Sequence, residues 1–342
     1  MVDLMVTTMT RPPTQTLLEL LDAELAFSPS FMGRFSNHLA MALVALHQLG
    51  APPAVLQSVF DAHAGGESEL RDDWDVLETR LHEVARDGIA ATVQARVPDL
   101  VTYPASQLFH PVIRLGYALD VGHEGQVAAA LLDWERRRHV LAPPDTAPGS
   151  RRLPDVAADL ARRSPGSWEH TFDLDSIARH PDLRAALTGV ALDEQTLDDI
   201  SSFAIAAHTA ADDFITLHMV TGARAIRTVS EWVDTGTARR LAAYTVPAMA
   251  IAYAAVGAPP LLSPDAVEAV RRSALPTREH IAERAISDRD PHVIKLANVG
   301  LAEETRTGDP LYRYAAARAV GLVPQGQPRP VADDGGRGRD QG

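Results

Sequence analysis

The chain contains no cysteine, which excludes disulfide bonds, thiolate metal sites and a cysteine nucleophile. It also contains a single lysine, Lys295, so arginine supplies every other one of its 32 basic side chains. The 45 acidic residues outnumber the basic ones and give a net charge of −13, which argues against nucleic acid as the main ligand. Lys295 is thus the one basic side chain of the sequence, histidine aside, that can lose its proton near neutral pH.

Long apolar runs are missing as well. The longest, residues 246–256, is shorter than the roughly 20 residues that cross a bilayer, and it contains Pro247. Residues 1–16 lack the charged and apolar regions of a secretory signal, so we expect a cytoplasmic protein without a membrane partner. Phosphate-binding glycine loops, dinucleotide fingerprints and the G-x-S-x-G elbow are also missing. Nucleotide-dependent and serine-hydrolase functions therefore have no motif support.

What is present is helical periodicity of apolar residues, and no long stretch alternates as a strand does. The sequence predicts an all-α protein, a compact multi-helix array whose inner helices are nearly all apolar. We expect a flexible arm over residues 1–15, one helical domain over 16–322 and a disordered tail over 323–342. The proline-rich stretch 142–165 predicts a long surface loop or a hinge inside that domain.

Two long segments are predicted to be continuous helices. Residues 73–95 are amphipathic and highly charged, and residues 197–230 form the longest uninterrupted helical pattern of the chain. Within the second segment, His208 and Asp212 lie one turn apart. We interpret them as a pair on the helix surface. The alternative is a pair that supports a metal ligand by hydrogen bonding.

Four of the thirteen histidines lie in strongly apolar helical segments: His38, His110, His218 and His292. A single histidine in such a place is more often a hydrogen-bonded core residue than a ligand. Four are different, because each buried polar ring without a partner costs on the order of 1–3 kcal/mol. Neutral imidazole is the commonest protein metal ligand, so one shared metal ion would satisfy all four.

Lys295 follows His292 by three residues, which places both side chains on one face of a helix. Burial would lower the pKa of the lysine and favour the neutral amine. A neutral amine can add carbon dioxide and become a carbamate, an anionic oxygen ligand. The alternative is a lysine that extends to solvent from a surface helix, and the spacing alone leaves both interpretations open.

Several sequence blocks together resemble the questin oxidase-like proteins. The resemblance runs from about residue 37 to residue 320, and the ordered set is more specific than any one block. The blocks are Asn37-His38-Leu39-x-Met41-Ala42-Leu43, Phe109-His110-x-x-Ile113-Arg114, His218-x-Val220-Thr221-Gly222, His292-x-Ile294-Lys295 and Thr307-Gly308-Asp309-Pro310.

The resemblance implies a mononuclear non-haem Fe(II) site with four histidine ligands and a carboxylated lysine. Carried over to this sequence, the ligands are His38, His110, His218, His292 and Lys295. Family members from fungal pathways open an anthraquinone ring by a Baeyer–Villiger-type oxidation. The resemblance therefore implies an oxidoreductase, a mono- or dioxygenase that uses dioxygen on an aromatic polyketide. NADPH or another reductant is an optional further cofactor.

Lys295, Arg114 and Arg227 are the candidate catalytic residues. Either arginine could hydrogen-bond a phenolate or quinone oxygen, but an ion-pairing structural role is the favoured interpretation for both. Two other functions stay open: a zinc or manganese hydrolase with a carbamylated lysine, and a non-catalytic helical protein that binds polyketides. A homodimer is one option for the assembly.

Overall fold

The computed structural model describes residues 11–31, 35–64, 69–145, 149–163 and 168–324. Most of the predicted arm and tail lies outside the described residues. The described residues form seventeen helices, which confirms the all-α prediction. In chain order they are α1 (Gln15–Glu24), α2 (Leu39–Leu49), α3 (Pro53–Ala64), α4 (Trp74–Asp87), α5 (Ile89–Arg96), α6 (His110–Val121), α7 (Glu124–Arg136), α8 (Leu153–Arg163), α9 (Leu174–Arg179), α10 (Pro181–Leu187), α11 (Thr196–Ala211), α12 (Phe214–Ser230), α13 (Thr235–Ala255), α14 (Pro264–Arg272), α15 (Arg278–Ile286), α16 (Pro291–Thr307) and α17 (Pro310–Ala319).

Strand structure is limited to one small hairpin in the described part of the chain. Strands β1 (Ser30–Phe31) and β2 (Phe35–Ser36) pair antiparallel, with Ser30 opposite Ser36. A short 3₁₀ turn, Val97–Asp99, follows α5. Among the described residues, none of the helices combines the length and the apolar character needed to span a membrane.

Four helices form the centre of the molecule and pack in a closed ring. Helix α2 contacts α6, α6 contacts α12, α12 contacts α16, and α16 contacts α2. Nearly every residue of α6 is buried, as is most of α12, because their apolar residues occupy all sides instead of one stripe. The main apolar cluster includes side chains from before and after residues 142–165. The ring of helices thus lies inside one continuous core.

Helices α6 and α12 approach each other at backbone distance. A Cβ atom added to Gly116 would lie 3.0 Å from the Cβ of Ala225, and one added to Gly222 would lie 2.8 Å from Cγ of Phe109. Larger side chains at either glycine would overpack this crossing. The two glycines therefore allow a close crossing of α6 and α12, with Gly116 against Ala225 and Gly222 against Phe109.

The chain enters α6 through an unusual corner. Gln107, Leu108 and Phe109 have φ values of 46°, 53° and 68°, a left-handed conformation that costs non-glycine residues about 1–2 kcal/mol each. The fully buried Phe109 ring against Gly222 anchors the end of this corner. The strained corner fixes where α6 begins, and His110 is its first residue.

The proline-rich stretch 142–165 differs from the sequence prediction, because it contains helix α8. Leu153, Val156 and Leu160 form a buried face at helical spacing. Pro154 lies in the first turn of α8, where its missing N–H has no intrahelical partner to lose. A proline there signals a helix start, so the loop alternative is wrong for residues 153–163, and the hinge alternative stays a prediction.

Both predicted long helices are interrupted. Gly88, at φ 80° and ψ 160°, separates α4 from α5. Asp212, at φ 49°, ends α11, and Asp213 begins α12 by accepting a hydrogen bond from the Ile215 N–H. Glycine tolerates the extended left-handed conformation, and aspartate side chains replace the helix hydrogen bonds that are lost at a break. The apolar periodicity continues across both breaks, which is why the predictions of continuous helices are wrong.

Candidate metal centre

Each of the four central helices contributes one histidine, and the four imidazoles lie together. His38 is the N-cap of α2, His110 begins α6, His218 lies one turn into α12, and His292 is in the first turn of α16. Ring centroids are 4.9 Å apart for His38 and His110, and 4.6 Å for His110 and His218. The remaining sides, His218 to His292 and His292 to His38, measure 5.3 and 4.5 Å. The imidazoles thus repeat the ring made by their helices.

The ring nitrogens of these histidines converge. Nε2 of His110 lies 3.0 Å from Nε2 of His38 and 3.1 Å from Nε2 of His218. Nε2 of His292 is buried and has no hydrogen-bond partner. One nitrogen each from His38, His110 and His292 lies within 4.8 Å of the others. This spacing allows several nitrogens to bind one ion.

In all four histidines the second ring nitrogen, Nδ1, has a hydrogen-bond partner. Nδ1 of His110 donates to the carbonyl of Gln107, and Nδ1 of His218 donates to the carbonyl of Phe214 at 2.8 Å. Carbonyl oxygens only accept hydrogen bonds, so both Nδ1 atoms carry the proton and both Nε2 atoms carry a lone pair. The 3.1 Å contact between those two Nε2 atoms therefore has no proton in it. A cation among the nitrogens would turn a repulsive contact into coordination.

His292 follows the same pattern with a carboxylate in place of a carbonyl. Its Nδ1 lies 2.9 Å from Oδ1 of Asp290, the N-cap of α16. Metal-binding histidines commonly donate their second N–H to a carboxylate or carbonyl in this way, which fixes the ring and its tautomer. The partnerless Nε2 is then free to bind a metal.

The surroundings keep the imidazoles neutral. Burial lowers the pKa of His110 to about 3, and burial together with nearby positive charge lowers the pKa values of His38 and His218 well below the usual range. Burial also lowers the pKa of His292, although the Asp290 carboxylate opposes the shift. Neutral imidazole is the form that binds metals, so the site is ready at neutral pH.

Lys295 lies beside the histidines and is fully buried, so the alternative of a lysine extending to solvent is wrong. Lys295 lies one turn after His292 on α16. Its Nζ is 3.4 Å from Nδ1 of His38. Burial lowers the pKa of this amine to about 7. A large fraction of the lysine is therefore neutral at physiological pH, which is the form that reacts with carbon dioxide.

The donor set fits a first-row transition metal. Imidazole nitrogens suit iron, zinc, copper and nickel, whereas magnesium and calcium prefer oxygen ligands. The partnerless Nε2 of His292 and the proton-free contact between His110 and His218 are the two observations that call for a cation. All five predicted ligand residues come together at this centre.

Arg114 is bound to a buried carboxylate. Its Nη2 donates to Glu24 at 2.7 Å and to Gln126 at 3.1 Å, and the Glu24 side chain is fully buried. Glu24 also accepts a hydrogen bond from Asn37, the residue before His38. These contacts give Arg114 a structural role in supporting the segment that presents His38.

Replacing Arg114 by leucine is expected to lower the free energy of unfolding by about 3–5 kcal/mol, because Glu24 would remain buried without its cation. Urea denaturation of the metal-free protein measures this loss. The double variant Glu24→Gln with Arg114→Leu is expected to recover part of it. Stability unchanged within about 1 kcal/mol, together with lost turnover, would instead favour the catalytic role.

Arg227 is likewise engaged by neighbours. Its Nη2 donates to Asp198 at 2.7 Å, to the Ser201 hydroxyl at 3.1 Å and to the Leu197 carbonyl at 3.0 Å. These partners all belong to α11. The guanidinium thereby ties α12 to α11.

His208 is buried, so its interpretation as part of a surface pair is wrong. Its Nδ1 lies 3.1 Å from the Thr216 hydroxyl, and its Nε2 is 4.0 Å from Asp212. The break at Asp212 folds α12 back against α11, and Arg318 of α17 donates to the His208 carbonyl at 2.8 Å. His208 thus helps to hold the α11–α12 corner.

Phe214 is part of the centre but was not among the predicted site residues. Its ring lies 4.5 Å from that of His218 and 4.9 Å from that of His292, and 42% of the residue is exposed. The spacing of four residues between Phe214 and His218 indicates a shared helix face and is the signal that could have identified it.

Residues 35–134 match the model of the questin oxidase-like family. The match confirms the resemblance over the segment that carries His38, His110 and Arg114, while His218, His292 and Lys295 lie outside it. The family's name indicates an oxidase, and hence an oxidoreductase. No curated protein matches the chain.

Proposed function

We propose, from the match of residues 35–134 to the questin oxidase-like family, that this chain is an iron-dependent oxygenase. Its reaction would be the oxidative, Baeyer–Villiger-type cleavage of a ring in an aromatic polyketide such as an anthraquinone. The observation that carries the proposal is the convergence of unprotonated imidazole nitrogens beside a buried, partly neutral lysine. Fe(II) accepts both imidazole and oxygen ligands, which is the donor set this centre offers.

His38, His110, His218 and His292 would hold the iron, with Lys295 as the fifth ligand residue. Bound iron would supply the activation of dioxygen that an electron-rich aromatic ring needs for cleavage. The protein's own part is to keep ring protons on the outer nitrogens, through Asp290 and two backbone carbonyls. Burial, complete for His218 and partial for His38 and His292, also lowers the pKa values of the imidazoles and keeps them neutral.

The burial of Lys295 and its lowered pKa support the proposal that this lysine is carboxylated. The neutral amine nitrogen would form a bond to the carbon of carbon dioxide and release one proton, which leaves an anionic carbamate. The carbamate would bring negative charge to a centre whose four other ligands are neutral. It would also lie beside Nδ1 of His38, which is 3.4 Å from the lysine nitrogen.

A monooxygenase and a dioxygenase differ in the number of electrons that a reductant must supply. In a Baeyer–Villiger oxidation, one oxygen atom enters between the carbonyl carbon and its neighbour. The second oxygen atom must then take up two electrons and two protons to leave as water, so NADPH or another reductant is consumed. A dioxygenase would place both oxygen atoms in the product and consume no reductant.

The proposal is tested by metal content and oxygen uptake. Protein purified without chelator is expected to contain about one iron per chain, and its oxygen uptake should depend on both iron and an added hydroxylated anthraquinone. The ratio of NADPH to oxygen consumed then identifies a mono- or a dioxygenase.

Other outcomes would contradict the oxygenase. Oxygen-independent hydrolysis by the zinc or manganese form would identify the hydrolase instead. Tight anthraquinone binding without turnover by the iron form would identify a binding protein. A chain that takes up no transition metal would overturn the metal centre itself.

A further inference from the structure

Two exposed phenylalanines lie next to the candidate metal centre and contact each other. Phe172 is 63% exposed and Phe214 is 42% exposed, with ring centroids 6.3 Å apart at an interplanar angle of 69°. Phe214 also packs against the rings of His218 and His292. Because the His292 side chain is 21% exposed while His218 is fully buried, the exposed aromatic surface continues to His292.

The backbone beneath both rings is fixed by hydrogen bonds. Phe214 is the first residue of α12, directly after its N-cap Asp213. On the other side, the N–H of Thr171 donates to the Ala255 carbonyl of α13 at 2.9 Å, and Asp173 caps α9. Each phenylalanine thus lies at the start of a helix or beside one, and its position is defined without a ligand.

A polar pair joins the two sides. Nε2 of His170 lies 3.0 Å from Oδ2 of Asp213, and the His170 ring meets Phe172 edge-on at 5.5 Å. About half of the His170 side chain is exposed. This contact links the Phe172 segment to the start of α12 and puts a hydrogen-bonding group at the outer edge of the aromatic surface.

We propose that Phe172 and Phe214 form the binding surface for a planar fused-ring aromatic ligand, with one edge of that ligand at His292, whose side chain is 21% exposed. The assignment of this ligand as the substrate rests on the proposed oxygenase function. Two phenyl rings set at a large angle offer both edge-to-face and offset stacking contacts, which a flat aromatic ring system can use. A fused-ring ligand can contact both phenyl rings and still reach the His292 imidazole, whereas a single ring covers only part of this surface.

Equilibrium binding of anthraquinone-2-sulfonate, followed by absorbance, tests this surface without any need for turnover. Phe172→Ala is expected to weaken binding about tenfold, since stacking on one aromatic side chain is lost. Phe172→Trp, which keeps an aromatic ring, is expected to bind as well as the unchanged protein. Benzenesulfonate carries the same charge on a single ring and should bind weakly to all three proteins.

Iron content and the urea midpoint are expected to be the same in the three proteins, because Phe172 meets His170 and Phe214 but is not among the ligand residues. Leu70→Ala, at an exposed apolar side chain outside this surface, is the matched control and should leave the affinity unchanged. Equal affinities for the unchanged protein and Phe172→Ala would overturn the proposal. So would a loss that tryptophan fails to restore, or one that is accompanied by loss of iron.

The outcomes separate the two proposals. If the iron form consumes no oxygen but Phe172→Ala still weakens anthraquinone binding, the aromatic surface stands and the oxygenase is rejected. If oxygen uptake depends on an anthraquinone while Phe172→Ala changes neither the affinity nor KM, the oxygenase stands and the surface is rejected.

Discussion

Replacing His110 by alanine is expected to abolish metal binding and turnover. Among the four histidines of the centre, His110 is the one whose Nε2 contacts the Nε2 atoms of two others, His38 and His218. Without the His110 ring, His38 and His218 lose the imidazole that both of them contact. The ion also loses a ligand whose orientation is fixed by the Gln107 carbonyl. We expect iron content to fall from about one per chain to a trace, measured by elemental analysis after desalting.

The stability of the same variant gives an independent measurement. An ion that binds only the folded state adds about 4 kcal/mol to the free energy of unfolding at a thousand times its Kd. The unchanged protein should gain such stability from added Fe(II), and His110→Ala should gain none. Comparing the gain on metal addition removes the cost of the small cavity from the result.

His82→Ala is the matched control, because His82 lies exposed on α4. It should keep both the iron content and the gain in stability. Equal gains for His110→Ala and His82→Ala would contradict a metal site at His110.

Lys295→Met is expected to leave a folded protein with strongly reduced metal affinity. Methionine keeps the length of the buried side chain and removes the amine, so the fully buried position is filled without a charge. Loss of a group that acts only by supporting the ligands costs about 10–100-fold in metal affinity, and loss of a ligand should cost at least as much. Isothermal titration with Fe(II) under anaerobic conditions measures the change.

Two further measurements identify the role of the amine. Lys295→Arg puts a permanent charge at a fully buried position, so we expect lower stability than in Lys295→Met. If Lys295 is carboxylated, activity of the unchanged protein should fall in carbon-dioxide-depleted buffer and return with bicarbonate. Lys295→Met should not respond to bicarbonate. Full iron content and turnover in Lys295→Met would make the lysine an ordinary buried residue.

The four histidines were candidates in the sequence because each stands in an apolar helical segment, and such periodicity predicts burial. The structure buries His110 and His218 and leaves His38 and His292 half-buried. Pro111 and Pro291 also indicated that His110 and His292 stand at helix starts. Periodicity does not report which buried residues meet. His110 and His218 are 108 positions apart, and their contact depends on the close crossing of α6 and α12.

The fold predictions failed where one residue type has two structural uses. A proline such as Pro154 is common both in loops and in the first turn of a helix. Only the buried apolar face of the residues that follow it shows that Pro154 belongs to helix α8. Asp212 and Asp213 interrupt two apolar helices without changing their period, so the break is invisible to a search for periodicity. The burial of His208 follows from that break and was missed with it.

The aromatic surface could not be predicted from the sequence either. Phe172 lies in a short segment before α9 with no periodicity of its own, and its nearness to Phe214 is set by α13 and by the contact of His170 with Asp213. An exposed phenylalanine can be identified as part of a binding surface only when the residues around it in the folded protein are known.

The closed ring of α2, α6, α12 and α16 has a consequence for biosynthesis. Neighbouring imidazoles are 72 and 108 positions apart, and Lys295 meets His38 across 257 positions. A ribosome-bound chain that has not yet produced α16 lacks His292 and Lys295, two of the five proposed ligand residues. Contacts of such high sequence separation form late in folding. Metal loading should therefore follow folding, and the finished pocket, not the order in which the nascent chain meets different ions, would choose the metal.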